Sequence, residues 1–166
     1  MMKRVILCAV MVLVTAATAA AQAPVFVVRH AERADAGRAG GTMGNDPDLS
    51  DAGRARAQSL AAVLKDAGIT AIFATEFKRT QQTAAPLASA LGIPVTKVPA
   101  RDTAALITKI KAATGAVLVV GHSDSVPDIV KALGVAARVT VGDAEFDNLF
   151  VVSRGRAPSV IHLHYR

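Results

Sequence analysis

Short runs of consecutive apolar residues alternate along the chain with longer stretches in which apolar residues recur at helical spacing. An unbroken apolar run of about four residues is typical of a strand that is buried on both faces. Runs of this kind lie at residues 25–28, 71–74 and 117–120. Shorter or more polar strands are predicted at residues 95–98, 150–152 and 159–165.

Four helices are predicted between these strands from their apolar periodicity and their end signals. The first begins at Ser50 and stops at Gly68, the second covers residues 79–91, the third is capped by Asp102 or Thr103 and ends at Gly115, and the fourth is capped by Ser125 and ends before Gly134. Strands that alternate with helices favour a parallel sheet. The sequence therefore predicts a single-domain α/β fold with a mostly parallel sheet flanked by helices on both faces.

The first 21 residues have the order of a secretory signal peptide. Lys3 and Arg4 form a positive start, residues 5–14 are almost wholly apolar, and small residues up to Ala21 fit a cleavage site. Cleavage as late as Ala23 also fits. We therefore divide the chain into a signal peptide, residues 1–21, and a domain, residues 22–166. The apolar run is too short to span a bilayer comfortably, so we expect a periplasmic or secreted bacterial protein with no stable membrane anchor after cleavage.

Composition narrows the function classes. The chain has 166 residues, about one domain, and its 52% hydrophobic content excludes a disordered chain. Its single cysteine, Cys8, lies in the predicted leader, which excludes a disulfide scaffold. The net charge is +6, and without the leader seventeen basic residues face thirteen acidic ones, a charge of +4. This mild excess suits an anionic ligand and predicts no nucleic-acid partner.

Polar side chains with phosphate chemistry follow the three buried strands. Arg29 and His30 come directly after the first strand, Arg79 lies shortly after the second, and His122 follows the third. Ligands of open parallel sheets bind at the carboxyl ends of the strands. If the three strands are neighbours, two histidines and two arginines converge on one edge of the sheet.

Such a group of side chains is suited to phosphoryl transfer. Arginine forks match the oxygens of a phosphate. A neutral imidazole can attack phosphorus and divide the hydrolysis into two displacements, while a protonated imidazole can donate to a phosphoryl oxygen. We therefore expect a phosphoryl-transfer pocket that needs neither a metal ion nor another cofactor.

The sequence resembles the histidine phosphatase superfamily, whose fold is the phosphoglycerate-mutase-like α/β fold. The motifs that carry the resemblance stand in family order: Val28-Arg29-His30-Ala31-Glu32, Leu49-Ser50-Asp51-Ala52-Gly53, Arg79-Thr80-Gln81-Gln82-Thr83-Ala84 and Val120-Gly121-His122-Ser123. The resemblance implies that His30 is the nucleophile and that Arg29, Arg79 and His122 hold the phosphoryl group. Ser123, beside His122 in the last motif, is counted with the substrate-binding residues. The first motif is most similar to that of short exported members, which include lipopolysaccharide core heptose phosphatases.

The proton donor has three candidates. One branch of the family places an acid between the second arginine and the last histidine, an interval in which this chain offers Asp102. The other branch places an acid directly after the last histidine, where Ser123 intervenes and Asp124 follows. Glu32 is the third candidate because it is close to His30 in sequence. Asp102 is preferred slightly over Asp124 at this stage.

The leading interpretation is a metal-independent phosphatase that hydrolyses phosphomonoesters through a phosphohistidine on His30. Its substrate is expected to be a small phosphorylated molecule, such as a sugar phosphate or a similar anion. Two alternatives stay open: a phosphohistidine phosphatase acting on proteins, and a non-catalytic module that binds phosphorylated ligands. His162 and His164 lie two apart on a late strand, where an exposed face is favoured over a metal pair.

Overall fold

The computed structural model describes residues 23–35 and 46–166, so the predicted signal peptide, residues 1–21, lies outside the described residues. Six strands and four helices follow one another along the chain. They are β1 (Val25–Arg29), α1 (Asp51–Leu64), β2 (Ile69–Ala74), α2 (Lys78–Leu91), β3 (Val95–Lys97), α3 (Thr103–Ala112), β4 (Ala116–Gly121), α4 (Ser125–Ala132), β5 (Asn148–Val152) and β6 (Val160–His164).

The strands form one mixed sheet in the order β3-β2-β4-β1-β5-β6. The first four strands in this order are parallel, and β5 and β6 are antiparallel additions beside β1. This arrangement confirms the predicted single α/β domain with a mostly parallel sheet. The chain leaves β1 for β2 and only later inserts β4 between them, so the topological switch point lies between β1 and β4.

Helices cover both faces of the sheet, as predicted. Successive residues of β1 point to opposite faces, so Phe26 and Val28 pack against the α1 and α2 side while Val25 and Val27 pack against the α3 and α4 side. Both sets are buried, which explains the unbroken apolar run in the sequence. No helix within the described residues is long and apolar enough to span a bilayer.

Two helix starts carry a predicted cap, one predicted cap is wrong, and α1 and α3 end at Leu64 and Ala112, a few residues before the predicted stops at Gly68 and Gly115. Ser50 caps α1 by accepting a hydrogen bond from the Gly53 amide, and Asp102 caps α3 in the same way. The predicted cap of α4, Ser125, is wrong: Asp124 is the cap, and Ser125 is the first helical residue. The Ser125 hydroxyl accepts instead from the His122 amide at 2.8 Å. Asp124 and Ser125 are adjacent and both can cap a helix, so the sequence alone does not show which of the two is the cap.

The end of the sheet opposite the β1 and β4 carboxyl ends is fastened by Arg154. Its guanidinium donates to the carbonyls of Ile110 and Ala113, at the end of α3, and to that of Gly115, before β4. It also donates to the Ala23 carbonyl, before β1. One side chain therefore supplies donors to carbonyls at a helix end, where intrahelical partners are missing.

Candidate active site

Two histidines meet at the switch point of the sheet. His30 follows β1 and His122 follows β4, and the parallel register pairs Arg29 with Gly121. The His30 amide continues the ladder by donating to the Gly121 carbonyl at 2.9 Å. The two imidazole ring centres lie 5.3 Å apart. The predicted convergence of the two histidines thus follows from the direct pairing of two parallel strands.

The proton of the His30 ring is fixed by the backbone. Its Nδ1 lies 2.7 Å from the Ala31 carbonyl oxygen, which can only accept, so Nδ1 carries the hydrogen and Nε2 keeps its lone pair. The side chain is 5% exposed. Burial lowers the pKa of His30 to about 3, against the weaker opposing effect of the Ala31 hydrogen bond. His30 is therefore neutral at pH 7, with Nε2 in the form that a nucleophile requires.

His122 is held from both ring nitrogens. Its Nε2 lies 3.1 Å from the Thr75 hydroxyl, and its Nδ1 lies 3.4 Å from a guanidinium nitrogen of Arg79. Burial and then the charge of Arg79 lower the pKa of His122 to about 4. In this structure His122 is thus a neutral ring whose protonation depends on what enters the site.

Arg29 is anchored by the loop before β5. One terminal nitrogen of its guanidinium donates to the carbonyls of Gly142, Asp143 and Glu145, at 2.9, 2.9 and 3.1 Å. The guanidinium carbon lies 4.1 Å from the centre of the Phe146 ring, a cation–π contact. Burial lowers the pKa of Arg29, and Asp143 opposes this shift. These contacts hold the second terminal nitrogen of Arg29 in one orientation.

Arg79 lies in the first turn of α2 and is 4% exposed. Its guanidinium lies 4.3 Å from the centre of the Phe77 ring and 3.6 Å from a carboxylate oxygen of Asp46. Burial, followed by repulsion from Arg33, lowers the pKa of Arg79. The site therefore holds a buried cation close to other cations, an arrangement that an anion stabilises.

An open cleft of about 570 Å³ joins these groups. It is lined by Arg29, His30, Arg33, Phe77, Arg79, Ala100, Arg101, His122, Ser123, Asp124 and Ser125. The lining thus contains four arginines and one carboxylate, while Asp35 and Asp46, outside the lining, pair with Arg33 and Arg79. The Nε atoms of Arg29 and Arg79 are buried and have no hydrogen-bond partner among the described residues. Buried donors are normally satisfied, so the cleft has the charge and the free donors to bind an anion.

The three candidate acids lie in different surroundings. Asp124 lines the cleft, and one of its carboxylate oxygens caps the Ser125 amide. Asp102 caps the Ala105 amide and lies outside the cleft lining. Only Asp124 among the three faces the cleft.

Glu32 is engaged elsewhere. Its carboxylate forms a forked pair with Arg56 of α1, with nitrogen–oxygen distances of 2.7 to 2.9 Å. Burial raises the pKa of Glu32, but the hydrogen bonds and charge of Arg56 together outweigh this and lower it. The Glu32 backbone also approaches α1 so closely that a Cβ on Gly53 would lie 2.2 Å from its carbonyl oxygen. Glu32 therefore joins α1 to the nucleophile loop, the segment after β1 that carries His30 and Glu32.

Several residues of the site were not predicted from the sequence. Arg33 and Arg101 line the cleft, Thr75 contacts His122, and Thr83 accepts a hydrogen bond from the Ala31 amide at 2.9 Å. Arg33 adjoins the first quoted motif and Thr83 lies within the third, so proximity was the available signal for these two, while Thr75 directly follows the predicted strand at residues 71–74. Arg101 is brought to the cleft because the Glu76 carboxylate accepts from the Ala100 amide at 2.8 Å.

His162 and His164 lie on β6, an edge strand remote from the cleft. His162 stacks on Phe150, with ring centres 4.5 Å apart, and accepts or donates a hydrogen bond with Asn148. His164 pairs with Asp147. Within residues 23–35 and 46–166, no group of three or more His, Cys, Asp or Glu side chains is arranged to hold a metal ion.

Comparison with known proteins agrees with this geometry. The sequence model of the histidine phosphatase superfamily (branch 1) matches residues 25–102, from β1 to the cap of α3. This match supports the histidine phosphatase superfamily as the family of the chain. No curated protein sequence matches closely enough to indicate a relative.

Solved structures of phosphatases share the fold. The protein histidine phosphatase SixA, complexed with tungstate, superposes with a TM-score of 0.65 at 17% identity, over 85% of this chain and 96% of SixA. A mycobacterial glucosyl-3-phosphoglycerate phosphatase, complexed with VO3, gives a TM-score of 0.64 at 16% identity, over 86% of this chain and 98% of that one. The family match and these phosphatases of the same fold together confirm the prediction of a phosphatase. The resemblance to heptose phosphatases stays a prediction.

Proposed function

We propose that the protein is a metal-independent phosphatase that hydrolyses phosphomonoesters through a phosphohistidine on His30. The observation that carries the proposal is the hydrogen bond from His30 Nδ1 to the Ala31 carbonyl. It leaves the Nε2 lone pair free in a cleft whose buried arginine donors suit the oxygens of a phosphate. A nucleophile, its orientation and the stabilising charges are thus all supplied by side chains.

The reaction divides into two displacements. Nε2 of His30 attacks phosphorus, the bond to the leaving oxygen breaks, and that oxygen takes a proton. Water then attacks the phosphohistidine, the phosphorus–nitrogen bond breaks, and phosphate leaves while His30 returns to its neutral form. Arg29 and Arg79 balance the charge on the phosphoryl oxygens in both steps, since arginine forks match these oxygens.

Asp124 is the proton donor that the geometry favours. It lines the cleft with Arg29 and His122, whereas Asp102 lies outside the lining and Glu32 is paired with Arg56. Asp124→Asn and Asp102→Asn form a matched pair, because both residues cap helices and asparagine keeps a capping oxygen.

We expect Asp124→Asn to slow the hydrolysis of alkyl phosphates by about 100-fold and to affect aryl phosphates much less, because a good leaving group needs no acid. Asp102→Asn should leave both rates within a few-fold of the parent. Steady-state rates on the two substrate types provide the test, and the reverse pattern would transfer the role to Asp102.

The nucleophile is tested with an aryl phosphate in the presence of EDTA. We expect turnover by residues 22–166 to survive the chelator and to disappear in His30→Ala, while His164→Ala, a change on the remote edge strand, keeps full activity. Labelled substrate should leave an acid-labile, base-stable phosphoenzyme on the parent protein only. Full hydrolysis by His30→Ala would overturn the proposal.

A second candidate function is the removal of phosphate from protein phosphohistidine. The cleft is open to solvent, and one protein of similar fold is the protein histidine phosphatase SixA. Rates on a phosphohistidine peptide and on a panel of sugar phosphates distinguish the two substrate classes. Phosphate binding without turnover of either class would instead favour the non-catalytic binding module.

We also propose that the phosphatase works after export from the cytoplasm. The support is the signal-peptide pattern of residues 1–21, with its basic start, apolar run and small-residue end. The full chain, expressed in a Gram-negative bacterium, should be recovered from the periplasm with the mass of residues 22–166. Retention of the full mass in the cytoplasm would contradict this proposal.

A further inference from the structure

Behind His122, two buried threonines form a hydrogen-bond chain with a single direction. The Thr80 hydroxyl lies 2.8 Å from the Phe77 carbonyl and 3.2 Å from the Thr75 carbonyl. Carbonyl oxygens only accept, and a hydroxyl has one proton, so Thr80 donates that proton to the backbone. Towards the Thr75 hydroxyl, 2.8 Å away, Thr80 can then only accept.

The same argument extends to His122. Thr75 gives its own single proton to Thr80, so it can only accept from His122 Nε2, at 3.1 Å. The hydrogen therefore lies on Nε2. Thr75 and Thr80 are 8% and 0% exposed, so bulk water does not offer a competing partner.

A contact on the other side of the ring gives the same answer. A guanidinium nitrogen of Arg79 lies 3.4 Å from His122 Nδ1. Guanidinium groups only donate, so this longer contact favours a lone pair on Nδ1. The threonine chain thus requires, and the weaker Arg79 contact favours, the same neutral tautomer.

This tautomer is the wrong one for holding a phosphoryl oxygen. Nε2 is taken by the buried Thr75, so Nδ1, which lies beside Arg79 of the cleft lining, is the nitrogen left for a phosphoryl oxygen. A lone pair on Nδ1 repels an anionic oxygen. We propose that Thr75 and Thr80 are positioning residues that keep the proton of His122 on Nε2, so that His122 binds a phosphoryl group only as an imidazolium and phosphate binding takes up one proton. This inference depends on the proposed function in one respect: it takes His122 to contact the phosphoryl group.

The charges around His122 agree with proton uptake on binding. Arg79 of α2 and, more weakly, Arg29 at the end of β1 oppose its protonation, while Asp124 and Glu76 favour it. With burial, these effects keep the ring neutral before binding. A phosphate dianion adds two negative charges beside Nδ1 and reverses the balance. One proton from solvent completes the imidazolium, and it returns to solvent when phosphate leaves.

Thr75→Val and Thr75→Ser test the chain. Valine keeps the shape of threonine but removes the acceptor, so the neutral ring is expected to change to the Nδ1–H tautomer, which donates to phosphate without taking up a proton. Serine keeps the hydroxyl and serves as the matched control. Thr80→Val is an independent variant, because it leaves Thr75 free to donate to Nε2 and should act in the same direction.

The first measurement is ¹⁵N NMR of His122 in the free protein. We expect the Nε2–H tautomer in the parent and in Thr75→Ser, and a shift towards Nδ1–H in Thr75→Val and Thr80→Val. An Nδ1–H ring in the parent would overturn the proposal. This experiment needs neither a ligand nor turnover, so its outcome is separate from that of the proposed phosphatase reaction.

The second measurement is calorimetry of inorganic phosphate binding in buffers of different ionisation enthalpy, at a pH where phosphate is a dianion. The parent and Thr75→Ser should take up about one proton per phosphate, with about tenfold weaker binding per added pH unit, whereas both valine variants should take up much less than one. Equal uptake by parent and valine variants, or no uptake by the parent, would overturn the proposal. If phosphate did not bind at all, the proposed function would fail. The NMR measurement of the His122 tautomer would still test the role of Thr75 and Thr80.

Discussion

The orientation of the nucleophile depends on one peptide group. The Ala31 carbonyl accepts from His30 Nδ1, and the Ala31 amide donates to the Thr83 hydroxyl of α2, at 2.9 Å. Thr83 in turn donates to the Arg79 carbonyl at 2.7 Å. A helix side chain therefore fixes the backbone that fixes the proton of His30.

Replacing Thr83 by valine should lower kcat more than it raises KM. The variant leaves the buried Ala31 amide without an acceptor, which costs about 1–3 kcal/mol of stability. A loss of about 1.4 kcal/mol of orientation at His30 corresponds to about tenfold in kcat. Steady-state kinetics and urea denaturation measure the two effects, with Thr83→Ser, which keeps the hydroxyl, as the control. An unchanged kcat in a destabilised Thr83→Val would limit Thr83 to a role in folding.

The two buried imidazoles should make the fold sensitive to acid. The folded-state pKa values of His30 and His122, about 3 and about 4, lie below the value of 6.5 expected for an unfolded chain. Between pH 6.5 and these values the unfolded chain binds more protons, so the free energy of unfolding falls as the pH falls.

The expected slope is up to about 1.4 kcal/mol per pH unit for each imidazole. Urea denaturation from about pH 7 to about pH 4.5 measures this slope. His30→Asn should show a shallower dependence of the free energy of unfolding on pH than the parent, because it lacks one histidine whose pKa is lowered by folding. Carboxylates such as Glu32 are common to both proteins and cancel in the comparison. Parallel stability curves for the two proteins would contradict the low pKa of His30.

At the scale of elements, the nucleophile loop and α1 are fitted to each other at Gly53. Its Cα faces the Glu32 backbone, and Arg56, one turn along α1, pairs with the Glu32 carboxylate. A glycine inside a helix normally lowers stability relative to alanine by about 1 kcal/mol. Here the glycine lets the helix approach the loop that carries His30.

Gly53→Ala should therefore destabilise the protein, against the ordinary helix preference. The new Cβ would lie 2.2 Å from the Glu32 carbonyl oxygen, so α1 or the loop must move. Since His30 precedes Glu32 by two residues, activity should fall together with stability. Ala55→Gly, at an exposed position of α1, is the control and should cost about 1 kcal/mol without a change in kcat. A Gly53→Ala protein that is more stable than the parent would show that no such close approach exists.

The elements that the sequence predicted well are those with local signals. Apolar runs gave the strands. Ser50 and Asp102, the latter one of two predicted caps, marked helix starts at the residues where the structure has them. The start of α2 had no such signal, because its cap residue, Phe77, offers no side-chain hydrogen bond. Asp46 accepts from the Lys78 amide instead, across a separation in sequence that no local pattern reveals.

Within the site, the sequence supplied the residues but not their pairings. The motifs brought His30 and His122 forward, and the β1–β4 register places them together. The partner of Glu32 lies in another helix, and the direction of the threonine chain depends on backbone carbonyls. Both are consequences of tertiary packing, so neither could be deduced from spacing alone.

At the scale of the whole molecule, positive charge is concentrated where the strands end. The protein carries a net charge of +6, and four arginines against one carboxylate line a single cleft. Arg79 is buried and Arg29 is half-buried, whereas Arg101 is exposed at the cleft wall. An exposed cation at the entrance attracts an anionic substrate before contact and is screened by salt.

Arg101→Ala should lower kcat/KM for an anionic substrate through KM, with kcat nearly unchanged, and it should flatten the dependence of kcat/KM on ionic strength. Arg156→Ala is the matched control, because it removes an exposed arginine from the β5–β6 loop, at the opposite end of the sheet. Kinetics between about 20 and about 300 mM salt, where the screening length falls to several ångströms, separate the two variants. An Arg156→Ala protein with the same loss would mean that net charge alone attracts the substrate, whereas an effect confined to Arg101→Ala locates that attraction in the cleft. A substrate with a second anionic group should show a larger loss in Arg101→Ala than one without, because the phosphoryl group already engages Arg29 and Arg79.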